Sequence, residues 1–396
     1  MTSPDLVVPD RAARTAVTAA FLANGVALAS WIARIPDVRA GLGLGDATLG
    51  LVLLGLAVGT ILALPIAGGA VARVGSRAVT LTGATVLVVV LPLIGLAPDA
   101  PTLALTLAGL GAGLSTMDVG MNAQGVGVER TYGRSVMVGL HAAWSVGSLL
   151  GALLATLAVR ADVPVEVHLT AIAAVVAVTV AGAARWLRVR DRATAGTSAP
   201  RFAIPRGALL PIALICFASA VGEGTASDWS GIHLADVVRV PESRVTWGYV
   251  AFTAAMTVAR LLGDRVTRRV GAATVVRTGG AIAAVGFVLV ATVPLLPVAL
   301  LGFALAGVGL ASIVPLTFSA AGRVARSPGE GVAAVATVGY GGFLAAPPLI
   351  GALAEAFDLR VPLFLIGVVV LGLTLRARRV IADDGAPAAA TGGAAA

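Results

Sequence analysis

Acidic and amide side chains interrupt two long apolar stretches of the sequence. Asp118 and Asn122 lie one helical turn apart in the first stretch, and Glu223 and Asp228 lie in the second. A carboxylate in the middle of a bilayer costs roughly 2.5–3.5 kcal/mol to insert, so it is expected to face a water-filled cavity or a partner. We therefore treat Asp118 and Glu223 as candidate proton carriers. Asn122 could hydrogen-bond a hydroxylated solute or the Asp118 carboxylate itself. The alternative is that Asp118 and Asn122 only cross-link neighbouring helices.

The depth of each acid follows from its position in its helix. At 1.5 Å per residue, Asp118 lies about 18 Å from Arg130, which is close to mid-bilayer. Glu223 lies about 25 Å past Arg206, in the outer half, between two glycines that weaken the helix there. Asp228 lies nearer the exit, as a substrate group or as part of an outer gate. Trp229 beside it is expected to anchor at the membrane interface.

Histidine and tryptophan share one helical face in a third segment. His141, Trp144 and two serines follow at spacings of three, four and seven residues, which is one side of a helix. His141 could relay protons because histidine titrates near physiological pH, and Trp144 could stack on a sugar ring. The equal alternative is that His141 hydrogen-bonds the neighbouring loop and Trp144 packs against other helices. Both residues are expected to line an inner vestibule. Asn24 and Trp31 repeat the pattern in the first apolar segment, where Trp31 could instead be an interfacial residue.

The elements that position these residues are predicted to be membrane-spanning helices. Hydrophobic residues make up 58% of the 396 residues and charged residues only 12%, whereas a soluble domain is about 25% charged. With roughly 20 residues per span, the chain has room for about twelve helices, which defines an all-α membrane protein. They are predicted at 15–35, 47–69, 79–97, 102–125, 137–159, 166–187, 208–234, 245–263, 272–293, 297–320, 331–354 and 361–377.

The basic residues indicate the orientation. All 28 are arginine, and most fall on one side of the predicted bundle when the helices are traced in order. Arginine excess marks the cytoplasmic face, which places both termini inside a multi-pass protein of the cytoplasmic (inner) membrane. The net charge of +8 is thereby explained without a nucleic-acid partner.

An internal repeat appears at an offset of about 200 residues. This is the length of six predicted helices with their loops, so each half of the chain contains six. Such a duplication predicts two six-helix bundles related by a pseudo-two-fold axis along the membrane normal. The matched pairs are Thr48-Leu49-Gly50 with Thr246-Trp247-Gly248, Val74-Gly75 with Val270-Gly271, and the glycine series Gly109, Gly111 and Gly113 with Gly307 and Gly309. The predicted organisation is an N-terminal bundle at 1–187, a cytoplasmic linker at 188–207, a C-terminal bundle at 208–380 and a disordered tail at 381–396.

The loop after the second predicted helix resembles the signature of the major facilitator superfamily. Gly68, Arg73, Gly75 and Arg77 occupy that pattern, while Ala72 replaces its usual aspartate. The resemblance implies a gating role for Arg73 and Arg77 on the cytoplasmic side. The second-half counterpart of this motif keeps an acid. Arg260 and Asp264 lie four residues apart there and can pair on one helix face.

Four separated stretches resemble one group within that superfamily, the bacterial inner-membrane permeases related to the fucose permease. The stretches are ARIPDVRAGLGLGDATLG from Ala33, MNAQGVGVER from Met121, GLHAAWSVGSLLGA from Gly139 and EGTASDWSGIHL from Glu223. The second of these ends in a cytoplasmic hairpin, where Arg130 or Arg134 could pair with Glu129 at an inner gate. Members of the group generally lack an assigned substrate, so the resemblance leaves the solute open.

Missing motifs narrow the function further. The sequence has no Walker A stretch, so energy is expected from an ion gradient rather than from a nucleotide. His141, His168 and His233 lie in three separate segments, which argues against a metalloenzyme, and neither a cofactor nor a metal is expected. The Gly-Pro pair typical of drug/proton antiporters is absent from the segment after Met137, which favours uptake.

We therefore expect a monomeric secondary transporter that moves a small sugar-like or other polar solute, with protons, by symport and alternating access. Solute is expected between the first, fourth, fifth and seventh helices. The alternatives are a proton-coupled drug or metabolite efflux antiporter, and a non-transporting membrane sensor on the same scaffold.

Overall fold

The computed structural model describes residues 11–132, 136–187, 205–325 and 328–381, and these ranges contain helices but no strand. A single 3-10 turn at Glu242–Arg244 precedes α9. The α-helices are α1 (Arg11–Ile32), α2 (Ile35–Leu42), α3 (Asp46–Val74), α4 (Ser76–Gly95), α5 (Ala100–Tyr132), α6 (Met137–Arg160), α7 (Val165–Ala184), α8 (Leu209–Asp236), α9 (Trp247–Val270), α10 (Ala272–Thr292), α11 (Leu296–Leu310), α12 (Ile313–Val324), α13 (Pro328–Phe357), α14 (Arg360–Thr374) and α15 (Ala377–Val380).

The described residues include eleven segments long and apolar enough to cross a membrane, and α14 is a shorter apolar helix of 15 residues. Two of the eleven segments are broken helices. α1 and α2 together form Arg11–Leu42, and α11 and α12 together form Leu296–Val324. Every predicted range overlaps one of these segments or α14, so the all-α, twelve-span fold class is confirmed.

Large apolar side chains cover the outside of the bundle. Leu62, Ile66 and Val178 are each more than 60% exposed in the absence of lipid. In hydrocarbon only a helix satisfies its own backbone hydrogen bonds, which is why apolar stretches of this length fold as helices. Helices that are apolar all round need a lipid environment to cover their outer faces.

The same helix pairs pack together in both halves of the chain. In the first half α1 packs on α6 and α7, α4 packs on α5 and α7, and α3 packs on α5. In the second half α8 packs on α13 and α14, α10 packs on α11 and α14, and α9 packs on α11. Each pair in the second half is the counterpart of a pair six spans earlier. This is the relation expected for parallel repeats about an axis along the membrane normal.

Glycine pairs identified from the repeat adopt matching conformations. Gly75 links α3 to α4 with φ 87° and ψ 157°, and Gly271 links α9 to α10 with φ 84° and ψ 152°. A positive φ is accessible to glycine without the steric penalty that a Cβ atom imposes. The two halves therefore make the same turn at equivalent places.

The glycine series brings backbones into direct contact. A Cβ atom on Gly111 of α5 would lie 2.0 Å from the Leu56 carbonyl oxygen of α3. A Cβ atom on Gly307 of α11 would lie 2.3 Å from the Phe252 carbonyl oxygen of α9. Small residues are what allow membrane helices to approach this closely. The series thus explains the tight α3–α5 and α9–α11 pairs.

The α5 helix, which carries Asp118, begins with a local hydrogen bond. The Thr102 amide donates to the Asp99 carboxylate at 2.9 Å, at the exposed end of the helix. Hydrogen bonds from the Thr102 side chain and backbone hold the pKa of Asp99 below its usual range. The charged form of Asp99 is the one that favours the helix end.

Most of the predicted linker at 188–207 and nearly all of the predicted tail at 381–396 lie outside the described residues. The proposed division of the chain at these segments stays a prediction.

Candidate functional site

A cavity of about 280 Å³ lies between the two halves. Its described wall comes from α1, α3 and α6 of the first half and from α8, α9 and α13 of the second half. These helices hold equivalent places in the two repeats. The volume is near the lower end of the roughly 300–1,000 Å³ that small-molecule sites occupy. We take this central cavity as the candidate site.

The α8 helix contributes both of its predicted acids to the central cavity. Glu223 and Ser227 lie on successive turns, and Asp228 lies about 7.5 Å further along the helix axis than Glu223. Gly224 also lines the cavity, and a Cβ atom there would sit 3.3 Å from the Phe343 ring of α13. Because Gly224 has no side chain, the Phe343 ring can lie close to α8 at this position. The α8 helix continues through Gly224 without a break.

One face of α9 forms a continuous stripe along the cavity. Of its residues, only Arg260 was predicted from the sequence, although spacings of three and four residues are the signal of a single helix face. The recurrence of aromatic and hydroxyl side chains at this spacing was the available signal. The members are Tyr249, Phe252, Thr253, Met256, Thr257 and Arg260.

Arg260 forms an ion pair across to α8. Its Nη2 lies 3.0 Å from Glu223 Oε1, and both side chains are half-buried. Its Nε also donates to the Ala311 carbonyl, at 3.4 Å. The expected partner of Arg260 was Asp264, whose side chain lies outside the described part of the structure. Glu223 supplies a counter-charge to Arg260 from the facing helix, and the pairing of Arg260 with Asp264 stays a prediction.

Asp228 lies in the cavity wall without a comparable partner. Among the described residues, no hydrogen bond or ion pair joins any group to its carboxylate. The side chain is half-buried and Trp229 next to it is 1% exposed. The interfacial position predicted for Trp229 is wrong, because this ring packs inside the bundle rather than at its lipid-facing surface.

Asn24 holds Trp144 in position. The Trp144 Nε1 donates to Asn24 Oδ1 at 3.0 Å, and Asn24 Nδ2 donates to the Leu114 carbonyl at 3.2 Å. Asn24 is 3% exposed and is not part of the cavity wall, whereas Trp144 and Trp31 are. Asn24 therefore connects α1, α5 and α6 and fixes the indole that faces the cavity.

Asp118 and Asn122 lie outside the cavity wall. Asn122 Nδ2 donates to Asp118 Oδ1 at 3.0 Å and to the Asp118 carbonyl at 2.9 Å, so the two side chains form one local pair. The α5 helix supplies no lining residue in the described cavity, contrary to the expectation of solute between the first, fourth, fifth and seventh helices. His141 also lies off the wall, exposed, with its ring edge-on to Phe21 at 5.2 Å.

Two of the residues predicted for a cytoplasmic gate make hydrogen bonds within their own half. Arg77 Nε donates to the Ala184 carbonyl at the end of α7, at 3.0 Å, while Arg73 is exposed. Glu129 Oε2 accepts from the amides of Val136 at 2.8 Å and Met137 at 3.1 Å, at the start of α6. Arg134 and the side chain of Arg130 lie outside the described residues. A gating role for this group stays a prediction.

A charged cluster joins the halves at the other end of the bundle. Arg39 of α2 pairs with Asp236 at the end of α8 and with Asp46 at the start of α3, the latter at 2.7 Å. The Ala47 amide donates to Glu355 of α13 at 3.4 Å. We call Arg39, Asp46, Asp236 and Glu355 the latch. Arg39 and Asp46 belong to a stretch noted for its family resemblance, but their pairing across the halves gives no signal in the sequence.

Close backbone contacts accompany the latch. A Cβ atom on Gly351 of α13 would lie 2.4 Å from the Asp46 carbonyl oxygen of α3. Thr156 of α6 and Thr246, just before α9, share a buried hydrogen bond of 2.8 Å. Gly68 and Gly69, near the far end of α3, have open space around their Cβ positions. The halves are thus tightly joined at the latch end.

These features define a class of protein: a multi-pass membrane transporter, whose two helical repeats enclose a central cavity closed at one end. A family model described as the Major Facilitator Superfamily matches residues 15–345. The chain belongs to this superfamily. It is a transporter that moves small solutes across a membrane, and not an enzyme.

Relatives cover nearly the whole chain. The uncharacterized transporter y4wD of Sinorhizobium fredii is 38% identical over 89% of this chain and 93% of its own length. An uncharacterized MFS-type transporter of Yersinia pestis is 34% identical over 94% and 97%. The membrane protein MosC of Rhizobium meliloti is 34% identical over 90% and 88%.

Solved structures share the fold at low sequence identity. The nucleoside transporter NupG superimposes with a TM-score of 0.74 over 93% of this chain and 99% of its own, at 14% identity. A bacterial homolog of the human lysosomal transporter Spinster, in an inward-facing and unoccupied conformation, gives a TM-score of 0.76 over 96% and 98%, also at 14% identity. These likenesses concern the fold alone.

Proposed function

We propose that this protein is a proton-coupled symporter that carries a small polar solute through the central cavity by alternating access. The observation that carries the proposal is the separation of Asp118 from the cavity wall. A symporter must hold a proton and a solute at the same time, and separate groups make this possible. Asp118, paired with Asn122, is the proposed proton site, and the cavity with Glu223, Asp228 and Arg260 is the proposed solute site.

The proposed orientation places the arginine-rich end of the bundle in the cytoplasm and the latch outside. The protein then sits in the cytoplasmic membrane with both termini inside, as a monomer. Because the latch holds the two halves together on the outer side, the described conformation is the one in which solute exchanges with the cytoplasm.

Proton coupling is testable before the natural solute is known. Purified protein is screened for thermal stabilisation by sugars, nucleosides, organic acids and amines, because a ligand that binds the folded state raises its stability. Each stabilising compound is then added outside proteoliposomes that contain a pH-sensitive dye. We expect the lumen to acidify, since an inward solute gradient drives protons inward through a symporter whatever the orientation of the protein in the vesicle.

The Asp118→Asn variant should keep the thermal stabilisation by the solute and lose the acidification. Asp99→Asn is the matched control, because it makes the same chemical change at the exposed start of the same helix. Alkalinisation of the lumen would support the efflux antiporter instead, in which proton and solute exchange at a cavity acid. Binding without any flux would favour the sensor, and acidification by Asp118→Asn at the normal rate would refute the proton role of Asp118.

A further inference from the structure

Aromatic side chains are concentrated in the wall of the central cavity. The wall contains two of the chain's five tryptophans, two of its three tyrosines and two of its ten phenylalanines. They are supplied by α1, α6, α9 and α13, so rings approach the cavity from both halves. The residues are Trp31, Trp144, Tyr249, Phe252, Tyr340 and Phe343.

The charges in the cavity do not cancel. Glu223 and Arg260 neutralise each other across 3.0 Å, so this pair contributes no net charge. Asp228 is the remaining charged group of the wall, and none of the described side chains compensates it. A lone carboxylate in apolar surroundings is unfavourable unless a proton or a cation neutralises it. The cavity is therefore complementary to a positive charge.

Ring faces and a carboxylate favour the same kind of ligand. The face of an aromatic ring carries partial negative charge and attracts a nearby ammonium group, more strongly where water is excluded. A carboxylate adds a charge-assisted hydrogen bond to an N–H donor. A negatively charged solute would meet Asp228 and the ring faces with like charge, and a neutral solute would bring no cation to the Asp228 carboxylate.

We propose that the solute carries an ammonium group bound by Asp228, on an apolar or ring-shaped body that packs against the aromatic wall. This inference rests on the proposed function, because it assumes that the central cavity is the transport site. Asp228 lies on the latch side of Glu223, because α8 runs on toward Asp236, and Tyr249 lines the same cavity. The ammonium group then occupies the end of the cavity nearer the latch, and the body of the solute extends toward Trp144 and the Glu223–Arg260 pair.

Three probes of one shape test the charge preference. Tyramine, tyrosol and 4-hydroxyphenylacetate present an ammonium, a hydroxyl and a carboxylate group on the same ring. Binding to the purified full-length protein in detergent is measured by isothermal titration calorimetry. We expect tyramine to bind at least about tenfold more tightly than tyrosol, the scale of a hydrogen bond to a charged group. We expect 4-hydroxyphenylacetate to bind more weakly than both.

The Asp228→Asn variant should remove the preference, so that tyramine and tyrosol bind alike. Unchanged tyrosol binding in that variant shows that the cavity is still folded. Glu242→Gln is the matched control, because it converts an exposed carboxylate of the same half that is not part of the wall. The control should keep the full tyramine preference.

Equal binding of tyramine and tyrosol to the unaltered protein would overturn the inference, as would a preference that survives Asp228→Asn. Loss of the preference in Glu242→Gln would overturn it too, since the charge would then act from outside the cavity. The binding measurement needs neither flux nor a proton gradient. Tyramine selectivity without solute-driven acidification would therefore refute symport alone, and acidification driven only by neutral or anionic solutes would refute the ammonium site alone.

Discussion

Three acids placed in the membrane by the sequence have three different surroundings. Asp118 accepts a hydrogen bond from Asn122, Glu223 pairs with Arg260, and Asp228 has no partner among the described groups. A buried charge that loses its only partner is strongly destabilising, so these acids are not interchangeable. Because their surroundings differ, we propose a different role for each acid: proton transfer for Asp118, charge balance for Glu223 and solute recognition for Asp228.

Asn24 is predicted to be a positioning residue. The Asn24→Ala change leaves the Trp144 Nε1 without its acceptor, at a cost of about 1–3 kcal/mol for a buried unsatisfied group. We expect a lower thermal unfolding midpoint and weaker binding of a cavity ligand, because the indole is no longer fixed.

A double-mutant cycle with Trp144→Phe isolates the contribution of this hydrogen bond. In the unaltered protein Trp144→Phe leaves the buried Asn24 Oδ1 without its donor, whereas in the Asn24→Ala background no acceptor is left, so the change should cost less there. Equal costs of Trp144→Phe in the two backgrounds would contradict the positioning role.

At the scale of helices, the glycine series and the latch set how closely neighbouring spans approach. Gly111 and Gly307 occupy equivalent contacts in the two halves, on α5 with α3 and on α11 with α9. The latch joins α2 and α3 to α8 and α13. All of its contacts lie at the same end of these helices. Packing inside each half is therefore separate from contact between the halves.

Replacing Gly111 with alanine is expected to lower the free energy of unfolding by about 1–3 kcal/mol, the usual range for overpacking. The new Cβ atom would lie 2.0 Å from the Leu56 carbonyl oxygen, so α5 must move away from α3. The matched change Gly182→Ala adds a Cβ atom in open space on α7 and should be neutral or slightly stabilising. Equal unfolding midpoints for the two variants would show that the close approach is not required.

Removing the latch cation is expected to favour opening at the latch end. Of the two ion pairs of Arg39, only the one with Asp236 crosses between the halves. A partly exposed pair contributes about 0.2–1 kcal/mol, so Arg39→Ala should raise the open population by a factor of roughly 1.4 to 5. A cysteine at Ser227 in a Cys216→Ser background reports this population through its rate of modification by a membrane-impermeant reagent added outside intact cells.

Arg160→Ala serves as the control for the latch. This exposed arginine ends α6 at the same end of the bundle and lies outside the latch. It should leave the modification rate unchanged. A rate in Arg39→Ala that matches the control would mean that the latch does not hold the halves together.

For the whole molecule, alternating access requires the latch end to open in every transport cycle. Thr156 and Thr246 come from opposite halves and their hydroxyl oxygens lie 2.8 Å apart, outside the cavity wall. Cysteines at both positions, in a Cys216→Ser background, should form a disulfide, since the Oγ1 atoms that the two sulfurs would replace lie 2.8 Å apart.

Oxidation of the Thr156→Cys, Thr246→Cys protein is expected to abolish solute-driven acidification of proteoliposomes, and reduction should restore it. Each single-cysteine variant should stay active under oxidising conditions. Full activity in a completely cross-linked sample would exclude a cycle in which these two halves separate at the latch end.

The sequence by itself determined the class, the spans and the repeat of this protein. Hydropathy, glycine spacing and arginine placement are local properties of the chain, and lipid permits only helices for such apolar segments. For that reason the predicted ranges match the observed helices closely, and the paired glycines at Gly75 and Gly271 could be found without coordinates.

Only the tertiary structure decided which polar groups meet. Arg260 of α9 pairs with Glu223 of α8, and Arg39 pairs with Asp236 from the other half of the chain. Such contacts depend on how each helix is rotated about its axis and on how the halves dock. Residue spacing marks the rotation of a largely apolar helix only weakly, and it does not mark the docking of the halves at all. The composition of the cavity, and the position of Asp118 outside its wall, follow from that packing.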